Sequence, residues 1–137
     1  MNVFLPLYED EGKVRLVGAA TSQTIVKGDA LVDNGSGYLV PASPGGNVDV
    51  RFVAAESRTT TSNGEQILAW HTNGVTFVAD CDADPVQTDV GTEADLATAG
   101  TVDPDASTDD IFYIERIDTT AGTGKVIGHF TRGVPNS

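Results

Sequence analysis

The chain alternates short apolar runs with turn residues, and almost none of these runs has helical spacing. The runs are rich in Val, Ile, Leu, Phe and Tyr, and Gly, Asn, Asp and Pro separate them. This pattern is typical of an all-β protein, because strands need apolar alternation and the connections between them need turn-forming residues. It predicts roughly nine strands. They are expected at residues 3–9, 14–20, 30–33, 37–42, 48–57, 65–72, 75–81, 110–118 and 125–131.

The sequence ILAWHTNGVTFVAD contains the strongest hairpin signal in the chain. Asn73 and Gly74 can both adopt positive φ, as a type I′ turn between two strands requires. A two-residue turn at this place would set Trp70 opposite Phe77 on the neighbouring strand. We therefore expect a hairpin whose buried face carries Leu68, Trp70 and Phe77.

Two further glycine-containing turns, at residues 33–37 and 119–124, each join a pair of apolar runs and predict hairpins. The chain also contains a weak internal similarity. The segments GDALVDNGSGYLVPAS (28–43) and ADLATAGTVDPDAS (94–107) share an acidic start, a glycine turn, a valine and an ending of Pro, Ala and Ser. Two such units would suit a duplicated half-barrel, with chance similarity as the alternative.

A length of 137 residues suits one domain with a single core, and no Pro-rich or Ser-rich linker divides the chain. We expect one β domain over residues 1–137, folded as a small β-barrel or β-sandwich of short antiparallel strands and hairpins. Residues 82–109 are expected to form a long acidic loop. Within it, TEADLATA at 92–99 is the only helix candidate, because Thr92 can cap a helix and the acidic residues suit its N-terminus; a loop is the alternative.

The formal net charge is −12, from 20 Asp and Glu against 8 Lys and Arg. Such a surface repels nucleic acid and anionic lipid, so neither a nucleic acid nor a membrane is expected as a partner. Carboxylates accumulate between Arg58 and Arg116, where no Lys or Arg occurs. The beginning of the sequence lacks the features of a signal peptide, and no apolar stretch approaches ~18 residues. We expect a soluble protein made in the cytoplasm.

Three alternate aspartates, Asp80, Asp82 and Asp84, stand at the first, third and fifth places of an EF-hand calcium loop. The rest of that motif is missing. Pro85 stands in the place of the invariant glycine, and Gly91 stands in the place of the bidentate glutamate. A solvated acidic segment is therefore the preferred interpretation, and no metal site is predicted.

The residue types that carry catalysis are few and poorly placed. His71 and His129 fall in predicted strands, where they are expected to be ordinary sheet residues. Ser36 lacks the nucleophile-elbow motif, and the glycine loop before Lys125 lacks the first glycine and the Ser or Thr of a phosphate-binding loop. Cys81 is the single cysteine, so an intrachain disulfide is excluded, and the hairpin register points its thiol to the core. No catalytic residue, cofactor or enzymatic activity is expected.

Several segments follow one another in a characteristic order. They are KGDALVDNGSGYLVPAS, VRFVAAES and EQILAWHTNGVTFVAD, followed later by IFYIERID and KVIGHF. That order resembles the head decoration, or capsid cement, proteins of tailed bacteriophages. The resemblance covers residues 27–81 well and 110–131 loosely, and it rests on pattern and turn placement. The acidic segment 82–109 departs from the compact members of that family.

The resemblance implies a structural virion protein that binds the outer surface of an icosahedral phage head and stabilises the capsid lattice. The partner would be the major capsid protein, and the protein would be a homo-oligomer, with a trimer favoured. It would be synthesised in the host cytoplasm and located on the outer capsid surface. The alternative function is a β-sandwich module of a phage tail or fibre that binds carbohydrate or protein.

The N-terminal stretch is the candidate capsid interface. It consists of Asn2, Val3, Phe4, Leu5, Pro6 and Leu7. This largely apolar stretch, within segment 1–9, could form an arm that adds a strand to a sheet edge of the capsid protein. The alternative is an edge strand of the protein's own barrel, which the proline also suits.

Overall fold

The computed structural model describes residues 4–6, 14–46, 49–118 and 124–131. These residues form β-strands and one short 3₁₀ helix, Gln87–Asp89, so the all-β prediction is confirmed. Each of the predicted strand segments contains an observed strand. The strands are β1 (Phe4–Pro6), β2 (Val14–Ala19), β3 (Thr24–Ile25), β4 (Ala30–Asp33), β5 (Leu39–Pro41), β6 (Phe52–Ala54), β7 (Arg58–Thr59), β8 (Glu65–His71), β9 (Phe77–Cys81), β10 (Glu93–Thr98), β11 (Thr101–Asp103), β12 (Phe112–Ile117) and β13 (Lys125–Phe130).

A closed barrel of five strands, called here the first barrel, has the strand order β2-β5-β4-β6-β8. Antiparallel pairing of β8 with β2 closes it, and β2 pairs in parallel with β5 at a single position, Ala19 opposite Leu39. The short ribbon β3–β7 adds Ile25 to its core. Its interior holds small and aliphatic side chains, which are Ala19, Ile25, Leu31, Ala54, Ile67 and Ala69, with Val17, Leu39 and Phe52 packed against them.

The other five long strands form a second ring, called here the second barrel, in the order β9-β11-β10-β12-β13, and β13 pairs back to β9. Its interior is aromatic. The ring of Phe130 lies 5.4 Å from that of Phe77 and 5.1 Å from that of Phe112, both edge-on, which is a favoured geometry for aromatic pairs. Phe4 of β1 completes the cluster, with its ring 4.8 Å from Phe130.

The two barrels have the same connectivity. In each one, the first strand pairs in parallel with the third and antiparallel with the fifth. The second strand pairs antiparallel with the third and the fourth, and the fourth pairs antiparallel with the fifth. The chain is therefore built from two successive copies of one five-stranded unit, β2-β4-β5-β6-β8 and β9-β10-β11-β12-β13.

The pairing register also agrees between the copies. Phe52 lies opposite His71 in the first barrel, and Phe112 lies opposite Phe130 in the second. The two similar sequence segments, 28–43 and 94–107, contain the equivalent hairpins β4–β5 and β10–β11. The sequence similarity thus marks a structural duplication, although each segment is part of a complete barrel rather than of half a barrel.

The predicted hairpin around Asn73-Gly74 is wrong. β8 pairs with β2 and β6, whereas β9 pairs with β1, β11 and β13, so the turn passes from the first barrel to the second. Gly74 has a φ of 73°, but Asn73 does not adopt positive φ. This is the pattern of a type II turn, which does not match the twist of paired hairpin strands.

The predicted facing of these strands is only partly correct. Phe77 is buried and Trp70 is half-buried, as expected. Leu68 is 41% exposed, because β8 turns the side chains of Ile67 and Ala69 into the first barrel instead.

The segment 82–109 is not one long loop, because it contains the 3₁₀ helix and the strands β10 and β11. The helix candidate at 92–99 forms β10. Ala94 and Leu96 are buried two residues apart, and β10 has a paired strand on each edge. Pairing and burial on one face outweigh the helical preference of these residues.

Candidate functional site

A cavity of about 490 Å³ opens in the wall of the first barrel, where β2 and β5 diverge beyond their single paired position. It is the best candidate for a binding site in the described part of the chain. Its floor is apolar, and its rim carries two carboxylates and a guanidinium. The floor consists of Val17, Leu39 and Phe52, and the rim consists of Asp33, Asp49 and Arg51.

The turn between β4 and β5 fixes one side of this rim. The Oδ1 atom of Asp33 accepts hydrogen bonds from the backbone N–H groups of Gly35, at 2.6 Å, and Gly37, at 3.2 Å. Both glycines have positive φ, 93° and 90°, which a side chain would make costly. The sequence DNGSG therefore holds the Asp33 carboxylate at the cavity by the usual geometry of an Asx turn.

The cavity has the chemistry of a binding site. An apolar floor can hold an apolar side chain of a ligand, and the charged groups at the rim can then select the polar groups that flank that side chain. Sequence reasoning missed this cavity, because Val17, Leu39 and Phe52 come from three strands whose convergence depends on the barrel closure.

An exposed apolar strip lies on the outside of the first barrel. Leu16 and Leu68 face each other across β2 and β8 and are 60% and 41% exposed. Val14 on the same face of β2 is also exposed. Large apolar side chains that are adjacent and solvent-exposed are typical of a contact surface. We call these three residues the outer strip.

No protein-family model matches the chain, and neither the curated proteins nor the solved structures include a significantly similar one. The residues described here contain no helix that is long and apolar enough to cross a membrane.

The candidate interface residues Phe4, Leu5 and Pro6 form β1, which lies antiparallel to β9. Phe4 is fully buried in the second barrel, and its N–H donates to the carbonyl of Gly28 at 2.9 Å. Leu5 is 38% exposed. Of the two alternatives for this stretch, these three residues adopt the edge strand. Asn2, Val3 and Leu7 lie outside the described residues, and contact of the stretch with a capsid stays a prediction.

The alternate aspartates at the end of β9 separate in the structure. Asp80 is buried and forms an ion pair with the ammonium group of Lys125 on β13, whereas Asp82 and Asp84 are exposed. The interpretation of this stretch as a solvated acidic segment therefore does not hold at Asp80, where a cross-strand cation compensates the burial of the carboxylate. Within the described ranges, no group of three or more Asp, Glu, His or Cys side chains is arranged to hold a metal ion.

Cys81 is half-buried against the core of the second barrel. Burial, reinforced by the negative charges of Asp82 and Asp80, raises the pKa of its thiol to about 12. The thiol is therefore protonated at neutral pH, and this makes it a poor nucleophile and a poor metal ligand.

Both histidines lie in strands, as predicted, His71 in β8 and His129 in β13. The Nδ1 atom of His129 lies 2.9 Å from a carboxylate oxygen of Glu115, and its ring centroid lies 5.2 Å from that of Tyr113. These contacts of His129 with Glu115 and Tyr113 are cross-strand side-chain contacts on the sheet surface, which are typical of β-sheets.

Proposed function

We propose that this protein is a structural virion protein that binds the outer surface of an icosahedral phage head and cements the capsid lattice. The observation that carries the proposal is the order of segments over residues 27–81, which resembles the phage decoration proteins. Most of that run belongs to one structural unit, because β4, β5, β6 and β8 are four of the five strands of the first barrel. The resemblance thus corresponds to a barrel and not to scattered loops.

The surface of the protein suits this role. The outer strip on the first barrel and Leu5 on β1 offer exposed apolar area on strands that are fixed by pairing. A net charge of −12 would keep a densely decorated particle soluble. In this proposal the protein has no catalytic activity and no cofactor.

The proposed mechanism is avidity. The partner is the major capsid protein, and the protein acts as a homo-oligomer, with a trimer favoured. Each contact is modest, but a symmetric oligomer engages several capsid subunits together and gains effective concentration for every contact after the first. Neighbouring capsid subunits would then be clamped at the outer surface of the virion.

The test is to mix purified protein with undecorated, expanded heads of the phage that encodes it. We expect stoichiometric co-sedimentation and a higher temperature of DNA release from the heads. The variants Leu5→Asp and Leu16→Asp place a charge on each exposed apolar surface, and at least one should reduce binding. Val86→Asp is the matched control, because Val86 is also exposed but lies on neither surface. Absence of head binding by the wild-type protein contradicts the proposal.

The cavity of the first barrel favours one second candidate, a carbohydrate- or protein-binding module of a phage tail or fibre. The carboxylates of Asp33 and Asp49 and the ring of Phe52 are groups that can bind a sugar. Binding to a glycan array without binding to heads would favour this second function over the first.

A further inference from the structure

The N-terminal strand occupies a defined slot in the second barrel. Along one edge, β9 pairs with β13. Along its other edge, β9 pairs first with β1, over Phe77–Ala79, and then with β11, over Asp80–Cys81. β1 therefore fills the gap where β9 and β11 diverge, and it inserts Phe4 into the barrel interior.

The first barrel has the same slot. Its position follows from the shared register, because Ala19 opposite Leu39 corresponds to Cys81 opposite Val102. Arg15, Leu16 and Val17 of β2 then correspond to Phe77, Val78 and Ala79 of β9. The pairings on the other edge give the same result, since Arg15 lies opposite Ala69 and Phe77 lies opposite the equivalent Gly128.

In the first barrel, this slot contains no strand among the residues that the structure describes. From Val14 to Gly18, β2 pairs with β8 on one edge and with no described strand on the other. The cavity of about 490 Å³ lies at this place. Its Phe52 corresponds to Phe112, the residue whose ring lies 5.6 Å from that of Phe4 in the second barrel.

We propose that the first barrel is a docking site for an extended segment of another protein, which adds to β2 as an antiparallel strand and inserts an aromatic side chain into the cavity. Addition of a strand to a free sheet edge is an established mode of peptide recognition. The occupant is not β1 of the same chain, because the burial of Phe4 holds β1 in the second barrel.

The residues around the slot define the chemistry of the occupant. Its residue opposite Val17 points inward to Phe52, as Phe4 points inward to Phe112, and is aromatic. The next residue points outward beside Leu16 and Leu68 of the outer strip and is apolar. The third residue lies opposite Arg15 and is acidic, because opposite charges on facing strands attract. The predicted order is aromatic, apolar, acidic.

Two differences between the copies accompany the slot that holds no described strand in the first barrel. Leu96 and Phe130 seal the interior of the second barrel with Phe4. The equivalent residues of the first barrel are Asp33, at the rim of the cavity, and His71. Polar side chains at these positions do not close the mouth with a continuous apolar layer, so an incoming aromatic residue has room to enter.

The test uses the full-length protein and a fluorescein-labelled peptide with the sequence of residues 1–9 and the change Pro6→Asp. This peptide has the aromatic, apolar, acidic order, and the change restores a backbone N–H for pairing. We expect saturable binding by fluorescence anisotropy and backbone amide shifts centred on Arg15–Val17 in NMR spectra. A peptide that also carries Phe4→Asp should bind at least about thirtyfold more weakly, because the aromatic side chain is the anchor.

A charge reversal distinguishes specific docking from non-specific binding of the peptide. Arg15→Glu should weaken binding of the acidic peptide about tenfold and favour a peptide with Pro6→Lys. Arg116→Glu on β12 is the matched control, because Arg116 is an exposed strand arginine of the second barrel, and it should change neither affinity. Head binding plays no part in this experiment, so its result tests the docking site independently of the proposed function.

Three results would overturn the docking site. The first is absence of saturable binding of the peptide. The second is an affinity that Arg15→Glu does not change. The third is a set of amide shifts at Phe77–Ala79 instead of β2, because the peptide would then be displacing β1 from the second barrel.

Discussion

Thr72 and Thr131 make the same pair of hydrogen bonds at the same position of the two barrels. Each threonine directly follows the fifth strand of its barrel. Its backbone N–H donates to the carbonyl of the residue just before the fourth strand, and its hydroxyl donates to the carbonyl of the residue before that one. The acceptors are Arg51 and Val50 for Thr72, and Ile111 and Asp110 for Thr131. The duplication therefore extends from connectivity to the side-chain bonds that hold the strand ends.

Thr72→Val should destabilise the protein by roughly 1–2 kcal/mol, because it removes the hydroxyl donor at a buried site and keeps the shape. Thr131→Val should cost less, since Thr131 is only half-buried. Urea denaturation followed by circular dichroism measures both. The exposed Thr59→Val in β7 is the control, and equal free energies of unfolding for all three variants would contradict the bonding role.

Phe4→Ala should cost about 3–4 kcal/mol despite the position of Phe4 near the chain terminus, because it empties the centre of an aromatic cluster. The neighbouring Leu5→Ala should cost less than about 1 kcal/mol, since Leu5 is largely outside the core. Thermal and urea denaturation compare the pair. Similarly small losses for both variants would mean that the N-terminal stretch is a free arm in solution.

Gly128→Ala should destabilise the second barrel by roughly 2–3 kcal/mol. A Cβ atom at Gly128 would lie 1.9 Å from the backbone oxygen of Tyr113, so a paired strand would have to move. Gly18→Ala in β2 is the control, because there the nearest atom, in Gly64, lies 3.6 Å away. Denaturation midpoints that fall equally for both variants would contradict this difference in space.

The strand pattern of the sequence predicted the fold class well, because apolar alternation and turn residues act locally. Each predicted strand segment contains an observed strand, and the turn at 33–37 joins an antiparallel pair as expected. The ribbon strands β3 and β7 were missed because two residues carry no measurable alternation. The strand β10 was misread because Ala, Leu and acidic residues favour a helix locally, whereas its paired neighbours decide otherwise.

The candidate site was much less predictable. Asn73-Gly74 is a strong hairpin signal, but the turn that it forms connects the first barrel to the second. No local rule identifies the strands with which the segments before and after the turn will pair. The cavity depends on the divergence of β2 and β5, which are apart in sequence and share one paired position. The duplication is the one signal that points to this site, since comparison of the two copies reveals a slot that holds a strand in the second barrel and no described strand in the first.

The carboxylate of Asp95 organises the connection between β11 and β12, and this makes stability depend on pH. It accepts hydrogen bonds from the N–H groups of Thr108, at 3.0 Å, Asp109, at 2.7 Å, and Asp110, at 2.9 Å. Burial opposes its charge, but the three donors outweigh burial and hold the pKa of Asp95 below its ordinary value of 3.8. A depressed pKa in the folded state adds stability that is fully present above the unfolded pKa and is lost as the pH falls through the folded pKa.

Asp95→Asn should therefore cost roughly 1 kcal/mol at pH 7, a modest value because the carboxylate is partly solvated. The difference from the wild-type protein should shrink as the pH falls through the depressed pKa of Asp95, below its ordinary value of 3.8, because the folded wild-type carboxylate then also becomes neutral. Urea denaturation at several pH values between 7 and 2 measures this, with the exposed Asp84→Asn as the control for lost charge. A difference that stays constant over this range would mean that ionisation of Asp95 does not stabilise the loop.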